Sequence, residues 1–370
     1  MTVSARHLAT VPAPLGSSDR LEHLRVLCPP GGGRRLLVQR GDAEVAVVEL
    51  DAQGAPEIRI PAPWPSGYGT VTVSPMGDLA VFSGVHAVRA VDPTGAVRWE
   101  LRHGCWSERV CEAAHLSFDE YANDWYHAHA SRASAAFSSD GKLVWAHVCR
   151  GPDADHEEEW VVLDAADGTL LGSARTGTVG SSFHTPHPDP ARMGLTVGEG
   201  DEESPALWGH WDGRTLTFRR LDETVLLAAS PDGRHVLATD PGQWSLSLLR
   251  AEDGGDLRRL GGADADAGGA GAVSPVAPVP PVPPVPGEDQ VWWGFEAAFP
   301  HEDVAVVGSE VHGEATAPRH WLLDPSAMTV RGPVSYPFPV HGSPLGAGPG
   351  QWCTVSEDRS ALHLWALDGR

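Results

Sequence analysis

A short turn sequence recurs along this chain, and its spacing constrains the fold more than any other feature. The clearest copy is Ser230-Pro231-Asp232-Gly233, set between the apolar stretches Val225–Ala229 and His235–Ala238. Ser74-Pro75-Met76-Gly77 and Ser138-Ser139-Asp140-Gly141 repeat it plainly. Looser copies are Cys28-Pro29-Pro30-Gly31, His187-Pro188-Asp189-Pro190, Phe299-Pro300-His301-Glu302 and Ala347-Gly348-Pro349-Gly350. Proline pre-sets the backbone for a turn, aspartate caps it, and glycine takes the positive φ that closes it. The fourth positions are separated by 46, 64, 49, 43, 69 and 48 residues. Periods of this size mark repeat architectures.

A second element follows each copy: an apolar run ending in Asp-x-x-Gly or a close variant. It appears at Val48–Gly54, Ala90–Gly95, Val161–Gly168, Leu248–Gly254, Trp321–Asp324 and Leu364–Gly369. Each unit therefore reads as four short antiparallel strands, a to d, with hairpin turns after a and after c. No 3.6-residue apolar rhythm competes with this reading. Seven such units predict one seven-bladed β-propeller over residues 1–370. The chain ends after strand c of the last unit, and Ala5–Val11 is a spare strand at the other end. We expect residues 1–12 to complete the last blade beside Leu362–Leu367, removing the sheet edges that an open array would expose.

The Ser-Pro-Asp-Gly turns resemble those of WD40-like and PD40-like propeller repeats, which implies the same all-β architecture. Ala90-x-Asp92-x-Thr94-Gly95-x-x-x-Trp99 is similar to the docking motif of quinoprotein propellers, one residue short. Gly209-His210-Trp211-Asp212 carries the letters of the WD40 signature side by side rather than at its spacing. The chain has 14 tryptophans; Trp99, Trp160, Trp244, Trp321 and Trp365 fall in or beside c and d strands, where they are expected to fill gaps between blades.

In an up-and-down sheet, a–b and c–d turns leave one end, and b–c and d–a connections leave the other. Every long departure from the repeat falls in the second set. Residues 103–130 and 261–290 are d–a insertions; the acidic stretches 151–159, 198–206 and 308–319 are b–c connections. Loops held by a rigid scaffold carry function, which places any site at these ends. The candidate binding residues are Trp106, Asp119, Asp124, Trp125, Tyr126, His127, His129, Asp155, His156, Glu157, Glu199, Asp201, Glu310 and His312. His127 and His129 fall on one side of an extended segment. With Asp155, His156, Glu199 and Glu310 they are the candidate ligands if a divalent cation binds. Cys105 and Cys111, six positions apart, could form a disulfide or half a metal site. The 261–290 insertion is Gly/Ala-rich and then alternates Pro with Val, which predicts a disordered segment ending in a stiff spacer with Pro-x-x-Pro elements.

Charge narrows the partners. With 27 basic and 49 acidic residues the net charge is −22, which argues against nucleic-acid and anionic-membrane binding. Thirty residues in the three acidic connections hold 11 acids against one base, Arg319. No apolar run is long enough to span a bilayer, the N-terminus shows no signal peptide, and five scattered cysteines fit a reducing compartment. The sequence contains no nucleophile elbow, phosphate loop or zinc-protease pattern. The expectation is a monomeric, cytoplasmic, non-enzymatic interaction scaffold without a required cofactor, offering an acidic, loop-decorated face to a basic protein or peptide. The alternative is a propeller hydrolase or lyase with a divalent cation at the channel mouth; a quinone-cofactor dehydrogenase has less support.

Overall fold

The computed structural model describes residues 2–17, 23–28, 33–52, 54, 56–106, 111, 113–128, 133–150, 158–200, 204–261, 291–311 and 319–368. The chain opens with β1 (Val3–Pro12). Strands β2 (Leu24–Leu27), β3 (Leu36–Arg40), β4 (Glu44–Glu49) and β5 (Ile58–Pro61) then form an antiparallel sheet in sequence order. The pattern repeats with β6 (Gly69–Val73), β7 (Ala80–Gly84), β8 (Ala87–Val91) and β9 (Val97–Arg102). The insertion that follows contains the one-turn helix α1 (Trp125–Ala128). The third sheet is β10 (Ser134–Phe137), β11 (Leu143–Cys149), β12 (Glu158–Asp164) and β13 (Leu170–Arg175). The fourth is β14 (Ser181–Pro186), β15 (Arg192–Gly198), β16 (Ala206–Trp211) and β17 (Leu216–Leu221), and the fifth β18 (Val225–Ala229), β19 (His235–Thr239), β20 (Ser245–Arg250) and β21 (Asp256–Gly261).

The remaining strands depart from simple repetition. β22 (Val291–His301), β23 (Val304–Val311), β24 (Arg319–Asp324) and β25 (Thr329–Ser335) make one antiparallel four, and β26 (Val340–Gly346), β27 (Gln351–Ser356) and β28 (Ala361–Leu367) make three. Strand β1 lies between β25 and β28, so the two groups merge into one eight-stranded sheet. It runs parallel to β25, with Val3 opposite Val334 and Ser4 opposite Ser335. Its other neighbour is β28, and the pairing to β25 is one the sequence did not predict.

Two compact units divide the chain. One comprises Val11–Glu223 with Arg359–Ala361; the other comprises Met1–Thr10, Thr224–Asp358 and Leu362–Arg370. Within each, neighbouring sheets pack face to face. In the first, Val38, Val47 and Ile60 meet Trp64, Phe82 and Val91; Val81, Val88 and Trp99 meet Phe137, Val144 and Leu163; Trp145 and Trp160 meet Leu195, Leu207 and Trp211. In the second, Leu237, Leu246 and Leu248 meet Phe299, Val307 and Trp321, while Val304, Val306 and Leu322 meet Trp352 and Trp365. Inner strands such as β3, β7 and β28 are buried at every position, which explains why they are mostly apolar, with Gln39, Arg40, Ser83 and His363 as their buried polar members. Outer strands such as β13 and β25 alternate toward solvent. Trp244 departs from expectation: it is half exposed, edge-on to Trp292.

The recurrent turn works through its serine. The Ser138 and Ser230 hydroxyls donate to Asp140 and Asp232 and accept from the backbone N–H groups of Leu143 and His235. Gly77, Gly141 and Gly233 follow with φ of +77°, +72° and +69°, where a side chain would be strained. The Phe299–Glu302 copy is corrected, because β22 runs on to His301 and the turn falls after it. Asp92 and Trp99, the quinoprotein-like residues, serve the fold. Asp92 accepts from the backbone and hydroxyl of Thr94, and the Trp99 indole donates to the Ala165 carbonyl. In the fourth sheet Asp212 caps the β16–β17 turn by accepting from the Arg214 and Thr215 N–H groups.

Two polar chains run through the packed sheets, and their donor directions are set by the indoles, which can only donate. Trp352 donates to the Tyr336 hydroxyl, Tyr336 to His320 Nδ1, and His320 Nε2 to the Gly342 carbonyl. Trp160 donates to His184 Nε2, leaving the proton of that ring on Nδ1 to be given to Ser134. Ser134 in turn bonds Ser182, and Ser182 bonds His147 Nδ1 at 2.9 Å. The buried Glu158 lies beyond, accepting from the Gly180 N–H at 2.7 Å and the Thr178 hydroxyl at 2.9 Å. Its Oε2 is 3.1 Å from His147 Nε2, off the line of a directed hydrogen bond.

Buried neutral histidines make the fold acid-labile. Burial pushes His320 down to about 4 against the opposing backbone bond, and burial together with Arg89 does the same to His86. A ring that stays neutral in the fold but charges near 6.5 when unfolded stabilises the protein above that pH, and the contribution disappears as pH falls toward 4. Urea midpoints should therefore be flat from pH 7 to 8.5 and drop between pH 6.5 and 4.5. A flat profile down to pH 4.5 would contradict this assignment.

Candidate metal centre

The 103–130 insertion is fastened at its start to the sheets below. The His103 N–H donates to the His86 carbonyl at 2.9 Å and the Gly104 N–H to the Cys149 carbonyl at 2.8 Å. Cys105 is thereby buried against Val85 and Tyr121. Tyr121 ends a 3-10 turn over Phe118–Glu120, and its ring stacks on His127 with centroids 4.9 Å apart. Tyr68, from the β5–β6 connection, packs edge-on against Phe118 and donates to the Ala122 carbonyl. The Tyr121 hydroxyl meets His86 Nδ1 in the core, and burial raises its pKa above the usual tyrosine value.

These anchors bring four metal-ligating side chains together. The ligand atoms of Cys105, Cys111, His115 and His127 all lie within 4.8 Å of one another. Cys111 Sγ is 3.1 Å from both His115 Nε2 and His127 Nε2, and the two Nε2 atoms are themselves 3.1 Å apart. Each imidazole turns its other nitrogen to a carboxylate. His127 Nδ1 is 2.8 Å from Asp124 Oδ2, and His115 Nδ1 is 3.2 Å from Glu120 Oε2. Asp124 also caps α1 by accepting from the Tyr126 N–H, so one carboxylate fixes both the helix start and the ring. Burial raises the Cys111 thiol, opposed by its hydrogen bond with Cys105, with nearby Asp124 adding to the rise. The Glu120 carboxyl lies below the usual range: burial works against its charge, but the bonds from His115 and the Leu116 N–H outweigh it.

The sequence-selected residues separate into groups. Asp124 and His127 belong to the cluster. Trp106 turns inward, buried with its ring 5.4 Å from His147 and 6.3 Å from His103. Trp125 and Tyr126 face solvent, 61% and 54% exposed, with ring centroids 4.3 Å apart, and Asp119 is exposed on the preceding turn. Glu199 is engaged elsewhere, accepting from the Val179 N–H at 2.8 Å and lying 3.6 Å from Arg220. Glu310 is placed by its backbone alone, opposite Trp292 in the β22–β23 ladder. His129, Asp155, His156, Glu157, Asp201 and His312 lie outside the described residues, as does 262–290. The structure thus joins His127 to Cys105, Cys111 and His115 rather than to Glu199.

His115 and Glu120 were absent from the sequence-based selection. Their signal was Cys-x5-Cys-x3-His ahead of His127 in one insertion, a spacing that matches no standard zinc pattern. Glu158, counted with the acidic connections, is instead a buried residue of β12. Among the described residues no helix is long and apolar enough to cross a membrane. The chain matches no family model, and a search of curated proteins finds no match to it.

Proposed function

We propose that the protein is an interaction scaffold in which the repeated sheets are the seven blades of one β-propeller and the 103–130 insertion is its docking platform. The blade count draws its support from the turn spacing together with the place of β1 beside β28, which gives the three-stranded group its fourth strand. The observation that carries the functional reading is the build of the insertion. Tyr68, Tyr121 and His127 hold it against the sheets, while Trp125, Tyr126 and Asp119 of the same insertion are exposed. An exposed aromatic pair in an insertion that also exposes an acid suits a basic partner: rings and acids both attract a guanidinium or ammonium. The net charge of −22 favours the same class of partner, and five cysteines outside any disulfide support a reducing, cytoplasmic setting.

The alternative, a hydrolytic cation bound by His127, His129, Asp155, His156, Glu199 and Glu310, draws less support. His127 Nε2 is already committed toward Cys111 and His115, and Glu199 is engaged by Val179. Binding from native cytosol at low and high salt tests the scaffold reading. We expect a basic protein retained at low salt, released at high salt, and not retained by a Trp125→Ala/Tyr126→Ala variant. Retention that ignores both salt and the double substitution would refute it.

A further inference from the structure

We propose that Cys105, Cys111, His115 and His127 bind one Zn²⁺ ion, and that this ion is structural. The inference stands apart from the scaffold reading, since it concerns the isolated chain.

The first support is the donor set. Two thiols and two imidazoles make a borderline-soft site, suited to zinc and unsuited to Mg²⁺ or Ca²⁺, which take oxygen ligands. The second is size. A tetrahedron with zinc bonds of ~2.0–2.3 Å has edges of roughly 3.3–3.8 Å. The three measured separations of 3.1 Å, and the 4.8 Å limit on the rest, bracket that value. Small outward movements of these side chains would complete the geometry.

The third support is the direction of the protons. Asp124 and Glu120 accept from Nδ1 of His127 and His115, so each neutral ring presents a bare lone pair at Nε2. The two lone pairs then face each other across 3.1 Å, with a sulfur 3.1 Å from both. Without a cation the single Cys111 S–H can be given to only one of these lone pairs, and the other faces its neighbour with no proton between them. With a cation at the centre the arrangement becomes four bonds, and the carboxylates are the outer partners that orient ligating histidines and raise their basicity. Binding would release the two thiol protons to solvent as the sulfurs become thiolates.

The arrangement also separates a structural from a catalytic ion. Four protein donors fill a tetrahedral shell and leave no position for water or substrate, whereas hydrolytic zinc sites keep one open. The ligands come from the start, middle and end of a single insertion whose described helical structure is one 3-10 turn and the one turn of α1. Such a segment has little apolar core of its own, and a cross-linking ion would supply its rigidity. Trp125 and Tyr126, two and one positions before His127, would then be held in place by the metal.

The test is elemental analysis of full-length protein purified without a histidine tag under reducing conditions, with Zn²⁺ then Co²⁺ as the probes. We expect one zinc per chain, and a tetrahedral thiolate-type visible spectrum after replacement by Co²⁺. Cys111→Ser and His115→Ala should each lose stoichiometric metal, while His129→Ala should keep it. Asp124→Asn, which leaves the four donors in place, should weaken zinc affinity about 10–100-fold in competition with a chelator. Thermal unfolding followed with and without chelator should show a metal-dependent midpoint for the wild type and not for Cys111→Ser. The proposal is overturned by a reduced protein that takes up no stoichiometric zinc. It is equally overturned by a Cys105–Cys111 disulfide in protein kept under reducing conditions, or by metal that survives both the Cys111 and the His115 substitution.

Discussion

A chain beginning at Ala13 should lose the cooperative unfolding transition of the intact protein, or unfold at a much lower denaturant concentration. Strand β1 is flanked on both sides, by β25 and by β28, so its removal leaves two sheet edges open where none was exposed. Ala5 and Val3 also leave the apolar cluster containing Trp352 and Trp365. With about 0.5 kcal/mol for each cross-strand neighbour over the ten residues of β1, the loss is roughly 5 kcal/mol before edge exposure is counted. That is a large share of the stability of most domains. Two new edges also invite pairing between chains, so the truncated protein should aggregate on concentration. Equilibrium unfolding in urea, with light scattering alongside, checks both effects. Unchanged midpoint and solubility would remove β1 from its assigned structural role.

Replacing Glu158 by alanine should cost about 3–5 kcal/mol, as expected when one partner of a buried polar set is removed. Three groups depend on this carboxylate: the Gly180 N–H, the Thr178 hydroxyl and His147. Gly180 has φ +152°, and a Cβ there would lie 2.1 Å from the Gly198 carbonyl, so its N–H sits on backbone packed closely against β15. The hydroxyl relay from His184 through Ser134 and Ser182 to His147 should slacken with it. Glu158→Gln, which keeps an acceptor for Gly180, should cost distinctly less. A charge-only role would make the two substitutions equivalent in urea unfolding, and that result would contradict the hydrogen-bonding account.

The repeat was legible because its turns are local chemistry. Ser230, Asp232 and Gly233 satisfy one another within six residues, so their letters report their geometry directly. Inner strands were equally readable, since burial on both faces favours apolar residues at most of their positions. The pairing of β1 to β25 was not legible, because it joins residues more than 300 positions apart and leaves no periodic mark. The same applies to Glu158. Nothing in a run of acids distinguishes the one whose side chain turns into the core, and its Thr178 and Gly180 partners lie in the β13–β14 connection, some 20 residues on.

The insertion shows the limit more sharply. Trp106 and Trp125 are both tryptophans of the insertion, yet one is buried against His147 and the other is exposed. Their sequence surroundings do not separate them. Extended alternation suggested His127 with His129, but the single turn of α1 directs His127 toward Cys111 and His115 instead. A cluster assembled from a 3-10 turn, one helical turn and the anchors on Tyr68 and His86 depends on contacts that a linear pattern does not encode. What could be read was the presence of the ligand types in one insertion, not which of them converge.

The central claim is that this insertion is locked by a metal held between two cysteines and two histidines. Its most direct test is a crystal of the full-length protein measured at the zinc absorption edge. The account predicts one anomalous peak per chain, ~2.3 Å from Cys105 Sγ and Cys111 Sγ and ~2.0–2.1 Å from Nε2 of His115 and His127, with Asp124 and Glu120 on the outer nitrogens. Continuous density joining the two sulfurs, or a peak whose ligands are drawn from other residues, would contradict it.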